Sequence, residues 1–109
     1  FGGNPLACAA GIAVIETIQK QQLLKKTQIL GKYLQELLEI LARTFPHLIK
    51  QVRGIGLMQG IELNRQCKDI VHDCMEKGLL INCAQNTVLR FLPAMTVTKK
   101  ELLLGVKIL

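Results

Sequence analysis

The 109-residue sequence predicts an α+β fold in which helices pack on one face of a small, mostly antiparallel sheet. Apolar residues recur at helical spacing in four segments, which indicates four helices. Short apolar runs bounded by glycine or polar turns lie between them, which indicates four strands. The predicted order is helix, long helix, two strands, helix, two strands, helix. The chain has no internal repeat and no low-complexity tract.

The first two predicted helices are the longest. Asn4 can cap a helix with its side chain and Pro5 suits the first helical turn, so we predict a helix from Pro5 to about Gln19. A second, amphipathic helix is predicted from about Gln21 to Phe45, because its leucines form one apolar stripe with charges opposite. Pro46 ends it. No initiator methionine precedes Phe1, so we expect the natural chain to extend upstream.

The remainder of the chain alternates strands and helices. An antiparallel hairpin is predicted over 49–63 with glycine at its turn. A helix over 64–77 should pack Ile70, Val71, Cys74 and Met75 inward and end at Gly78. Strands are predicted at 79–81 and 88–91, separated by a polar loop over 82–87. Thr98 and Glu101 form a capping-box pattern that begins the last helix.

Composition and charge exclude several classes of function. The formal net charge is +6, but the lysines are scattered and no aromatic residues are interleaved as a base-stacking surface requires, so we expect no nucleic-acid partner. The longest apolar runs are too short to span a bilayer, and no secretory leader begins the chain, so we expect no membrane association and a cytoplasmic location.

The four cysteines, Cys8, Cys67, Cys74 and Cys83, lack the paired spacing of a disulfide framework or a zinc knuckle. We therefore predict reduced thiols in the core. Cys67, His72 and Cys74 could supply three metal ligands, but they lack a fourth at a usual spacing. No metal site is predicted.

Arg90 is the most informative polar residue. It lies in an apolar strand, where a guanidinium is costly without a carboxylate partner, and its planar fork suits a carboxylate. The alternative is that Arg90 lies on the exposed face of an edge strand or pairs with a local acid such as Glu62. Arg53 beside the hairpin turn is expected to be solvated, and His47 and His72 to lie at the surface.

No residue of the chain is predicted to be catalytic or to bind a cofactor. A Schiff-base lysine needs desolvation or a cationic neighbour, and every lysine falls on a polar helix face or in a loop. Gly54 and Gly56 lack the third glycine and the strand-to-helix context of a dinucleotide site. From these residues alone, the chain assists chemistry rather than performing it.

Four ordered blocks nevertheless resemble the carboxy-terminal part of class III pyridoxal-phosphate aminotransferases. They are FGGNPLACAA at 1–10, VRGIGLMQGIEL at 52–63, EKGLLIN at 76–82 and VLRFLP at 88–93. Within that family they are most similar to the acetylornithine aminotransferases. The resemblance covers essentially the whole chain.

The resemblance implies the small carboxy-terminal domain of a fold type I pyridoxal-phosphate transferase. Residues 1–20 would be a helix that joins the large domain and the dimer interface, and 21–109 would be the small α+β domain. The parent would be a homodimer that binds pyridoxal 5'-phosphate and moves the amino group of acetylornithine to 2-oxoglutarate in arginine biosynthesis. The cofactor lysine would lie in the large domain, so the isolated chain is expected to be inactive and to bind no cofactor.

The resemblance also implies that Arg90 binds substrate. It matches the family arginine that clamps a substrate carboxylate or pairs with a glutamate of the large domain. Ala94 and Met95 depart from the residues that usually follow this block, which affects the wall of the substrate pocket. Ornithine, succinylornithine and 4-aminobutyrate transaminases share the architecture and remain alternatives, as does a non-catalytic interaction module.

Overall fold

A computed structural model describes residues 1–109 and contains four helices and one four-stranded sheet. The elements, in chain order, are α1 (Pro5–Lys20), α2 (Leu23–Thr44), β1 (Ile49–Ile55), β2 (Met58–Leu63), α3 (Lys68–Glu76), β3 (Asn82–Ala84), β4 (Val88–Phe91) and α4 (Lys99–Ile108). The strand order is β1-β2-β4-β3 and every pair is antiparallel. The predicted α+β class is confirmed.

The two faces of the sheet differ in burial because side chains alternate along each strand. Ile61 on β2 and Leu89 and Phe91 on β4 are buried with Leu34 and Leu38 of α2 in one apolar cluster. Leu102 of α4 belongs to the same cluster. The helices therefore cover one face, and the other face, which we call the open face, carries Arg90.

The apolar stripe predicted for the second helix is present in α2. Leu34 and Leu38 are fully buried, and Leu30 and Leu41 pack beside them. The helix begins at Leu23 rather than Gln21, because Gln22 adopts a left-handed conformation with φ 51° that interrupts the helical path.

By contrast, α1 has no buried residue. The predicted cap is present: Asn4 Oδ1 accepts a hydrogen bond from the backbone N–H of Ala7 at 2.9 Å, and Pro5 follows. Four large apolar side chains of this helix are exposed, namely Leu6, Ile12, Val14 and Ile15. Local capping thus supports a helix that contributes almost nothing to the core.

The hairpin approaches α2 through two glycines. A Cβ atom built on Gly31 would lie 2.4 Å from the backbone carbon and oxygen of Gly56. Gly56 has φ 54° in the turn between β1 and β2, and Gln59 Nε2 donates to its carbonyl at 2.8 Å. Only a residue without a Cβ fits at position 31 while the turn keeps this position.

Three boundaries predicted from the sequence are wrong. The third helix begins at Lys68 rather than Asn64, and Met75 on it is exposed. The segment 79–81 forms no strand, whereas 82–84, expected to be loop, forms β3. The strand was missed because its three residues are too short to show a period of two. The capping box at Thr98 and Glu101 is present as predicted.

The prediction that all cysteines are reduced is also wrong. Cys67, just before α3, forms a disulfide with Cys83 in β3, with the two Cα atoms 5.7 Å apart. Cys8 and Cys74 are free; Cys74 is buried as predicted, whereas Cys8 is exposed. The pairing arises because the loop after β3 folds back, where Cys67 N–H donates to the Asn86 carbonyl at 2.9 Å. Sequence spacing alone cannot reveal such a contact.

No helix of the chain combines the length and the apolar character needed to cross a bilayer.

Candidate functional site

Four residues lie in one line across the open face of the sheet. The strand registers pair Arg53 with Gly60, Gly60 with Arg90, and Arg90 with Asn82. We call these four residues the arginine row. Because paired residues of neighbouring strands point to the same face, two guanidinium groups flank a glycine there.

Arg53 is already engaged by neighbouring side chains. Its guanidinium pairs with the Glu62 carboxylate, and its Nη1 donates to Gln51 Oε1 at 3.0 Å. The hydrogen bond from Arg53 and its positive charge lower the pKa of Glu62 below the ordinary value of 4.5. Glu62 therefore stays ionised at neutral pH and compensates the positive charge of Arg53.

Arg90 forms no salt bridge with any carboxylate of the chain. Its Nε–H donates to Asn82 Oδ1 at 3.2 Å. A neutral amide leaves the positive charge of the guanidinium uncompensated. Of the two arginines in the row, Arg90 is therefore the one available to an external carboxylate.

The alternative prediction placed Arg90 on the exposed face of an edge strand or in a pair with Glu62, and only the exposed face is correct. Arg90 lies on an exposed face, as that alternative states. It is not on an edge strand, because β4 lies between β2 and β3. It does not pair with Glu62, which is held by Arg53. Arg53 is exposed, as expected, although it also pairs with Glu62.

Gly60, at the centre of the row, places no side chain between the two arginines. A Cβ atom there would meet the Val88 side chain, with Cγ1 at 3.2 Å, whereas the nearest backbone atoms would lie at an ordinary 3.7 and 3.8 Å. Asn82 was missed as a site residue because its segment was predicted to be loop. An asparagine at a strand position is uncommon, and that is the sequence signal that could have drawn attention to it.

A largely apolar groove lies beside Arg90. Arg90 lines this groove of about 230 Å³ together with the segment 79–81, the residues that follow β4, and residues of α2 and α4 that include Glu101. Leu80 and Leu92 in this groove are 86% and 64% exposed. The Glu101 carboxylate in this groove accepts hydrogen bonds from Thr98. The Arg90 cation beside the apolar walls suits a ligand that has a carboxylate on an aliphatic chain.

Other polar groups of the chain do not assemble a catalytic site. His72, Asp73 and Glu76 lie close together but are all exposed, on one face of α3. Burial raises the pKa of the Cys74 thiol, which makes it a poor nucleophile. Every lysine is exposed, so none has the desolvated setting of a Schiff-base lysine. Residues of this chain do not fit a pyridoxal-phosphate site.

Comparison with known proteins gives one consistent result. The family model described as aminotransferase class-III matches residues 1–109. The acetylornithine aminotransferase of Aquifex aeolicus is 46% identical over 102 residues, which cover 94% of this chain and 25% of that protein.

Solved structures agree with it. The crystal structure of acetylornithine aminotransferase from Elizabethkingia anophelis superposes with a TM-score of 0.91 at 33% identity, over 99% of this chain and 28% of that one. The ornithine aminotransferase of Toxoplasma gondii gives a TM-score of 0.90 at 28% identity, over 99% and 26%. The chain spans about a quarter of the length of the proteins it matches.

Proposed function

Because this chain belongs to the class-III aminotransferase family, we propose that it is the carboxy-terminal part of a pyridoxal-phosphate-dependent aminotransferase. Its substrates would be acetylornithine as amino donor and 2-oxoglutarate as acceptor, in arginine biosynthesis. The names of the curated relatives support the donor. The similarity to ornithine aminotransferases keeps ornithine as the first alternative, followed by succinylornithine and 4-aminobutyrate.

In this proposal, residues 21–109 are the small domain and residues 1–20 join the large, cofactor-binding domain and the interface of a homodimer. Two observations support it. Helix α1 buries none of its residues here and exposes Leu6, Ile12, Val14 and Ile15. The matched proteins also contain about three times as much additional chain, which is enough to cover that helix.

Arg90 would bind a substrate carboxylate, and its uncompensated charge on the open face is the observation that carries the proposal. The two Nη nitrogens can donate a pair of parallel hydrogen bonds to the carboxylate. The apolar groove beside Arg90 would exclude water from the aliphatic part of the substrate. Pyridoxal phosphate, bound by the rest of the enzyme, supplies the electron sink for amino-group transfer.

The test replaces Arg90 in the parent enzyme, meaning the full-length polypeptide that contains this chain. Arg90→Ala should lower kcat/KM for carboxylate substrates about 30- to 1,000-fold, because a charge-assisted bidentate contact is worth roughly 2 to 4 kcal/mol. Arg90→Lys should recover only part of this loss, since an ammonium cannot donate bidentately. The control is Arg43→Ala, an exposed arginine in the last turn of α2. Wild-type kinetics for Arg90→Ala would refute the role.

A non-catalytic interaction module is the second candidate, and the exposed apolar face of α1 is the observation that favours it. The two functions differ in what the parent does. Amino-group transfer from any of the four donors to 2-oxoglutarate supports the enzyme, whereas a parent without transaminase activity supports the module.

A cytoplasmic location is part of the proposal. The Cys67–Cys83 disulfide, however, is atypical of a reducing compartment. The test is to alkylate the protein rapidly in cells and count its modified cysteines. Four modified cysteines would indicate a reducing compartment, and two would indicate that the disulfide is present in the cell.

A further inference from the structure

We propose that Asn82 is a positioning residue that holds the Arg90 guanidinium in the orientation needed to receive a carboxylate end-on. This inference rests on the proposed function, because it concerns how Arg90 binds its ligand. It assigns a role to a residue that touches no substrate itself and acts through Arg90.

The row leaves Arg90 with one lateral side-chain neighbour. Arg90 is paired with Gly60 on β2 and with Asn82 on β3. Glycine offers no side chain, so the directly paired residue on β2 does not restrain the long arginine side chain. Asn82 is therefore the residue in the row that limits the rotamers of Arg90, through its hydrogen bond at 3.2 Å.

The atom that Asn82 engages determines the geometry left for a ligand. A guanidinium can receive a carboxylate side-on, through Nε and one Nη, or end-on, through both Nη nitrogens. Since Asn82 Oδ1 accepts from Nε, the side-on position is occupied. The remaining N–H groups, all on the Nη nitrogens, form the fork for end-on binding.

The chemistry of asparagine suits this role. Its neutral amide fixes the guanidinium without neutralising it, in contrast to Glu62 beside Arg53. An aspartate at position 82 would make the same hydrogen bond but would compete with the ligand for the positive charge.

Asn82 is itself held in place from two sides. Its strand, β3, pairs with β4 through three residues. The next residue, Cys83, is joined by the disulfide to Cys67 at the start of α3. A short edge strand would otherwise be the least restrained strand of the sheet. The anchor makes it possible for an exposed asparagine to orient an exposed arginine.

The test uses the parent enzyme and a spectroscopic measurement. Asn82→Ala should raise KM for the carboxylate substrates about 2- to 13-fold, because binding must then immobilise an arginine side chain that Asn82 no longer restrains, with kcat changed less than about twofold. The control is Gln51→Ala, which removes the amide acceptor from Arg53 on the same face and should leave KM unchanged. In ¹H–¹⁵N spectra, the Nε–H signal of Arg90 should exchange faster with water in Asn82→Ala.

Asn82→Asp separates orientation from charge. It should preserve the slow exchange of the Arg90 Nε–H signal. It should still raise KM, because the introduced carboxylate neutralises the guanidinium and competes with the substrate carboxylate. A wild-type KM in Asn82→Asp would overturn the requirement for a neutral acceptor. Unchanged KM and unchanged exchange in Asn82→Ala, alongside a raised KM in Arg90→Ala, would overturn the role of Asn82 alone. Unchanged KM in Arg90→Ala would instead overturn the proposed function.

Discussion

Reducing the Cys67–Cys83 disulfide should destabilise the domain by an amount that follows from its position in the chain. The two cysteines are 16 residues apart. Closing a loop of that length in the unfolded chain removes about 10 cal/mol/K of entropy, which corresponds to about 3 kcal/mol at 25 °C. Reduction should lower the free energy of unfolding by this amount.

The assay is thermal unfolding followed by circular dichroism, with and without dithiothreitol. For a 109-residue chain, the entropy of unfolding is about 230 cal/mol/K, so about 3 kcal/mol corresponds to a fall of about 13 °C in Tm. Reduction of the wild-type protein is preferable to substitution, because Cys67 is fully buried and serine there would bury a hydroxyl.

A thiol titration provides the control. The unfolded, unreduced protein should show two reactive thiols, those of Cys8 and Cys74, and the reduced protein should show all four cysteines. The same Tm in both states, with the titration confirming the disulfide, would refute the entropic reasoning. Four thiols without reductant would refute the pairing itself.

Two further predictions concern stability. Gly31→Ala should lower the free energy of unfolding in urea by about 2 kcal/mol or more, because the clash with the Gly56 backbone outweighs the ~1 kcal/mol gain in helix propensity. Gly105→Ala is the matched control, since its Cβ would meet Leu79 at an ordinary 3.4 Å; equal effects would argue against the clash. The contribution of Glu62 should be present above pH 4.5, its ordinary pKa, and be lost as the pH falls through its lower folded pKa. Urea unfolding of wild type and Glu62→Gln at several pH values checks this, and parallel stability curves would contradict it.

The helices were the most predictable part of the fold. The leucine stripe of α2 and the caps at Asn4 and Thr98 were predicted correctly, because each depends on residues within one or two turns. The error at β3 has the opposite cause. Three residues carry too little periodicity to identify a strand, and β3 forms because β4 offers it a backbone edge.

The site was predictable only in part. Arg90 was identified from its apolar surroundings and from the resemblance, and its binding role remains a prediction. The alternative in which Glu62 pairs with Arg90 was wrong, because Glu62 pairs with Arg53 on the other neighbouring strand. Registers across a sheet decide such competition, and a linear pattern does not contain them.

By itself, the sequence determined the α+β class, the capped helices and the family, since local propensities and ordered blocks are written along the chain. The tertiary structure alone decided which of the two arginines in the row has no carboxylate partner, that Asn82 lies beside it, and that Cys67 pairs with Cys83. The physical reason is that each of these contacts joins residues on different elements, and their distances exist only after the sheet has paired and the helices have covered one face of it.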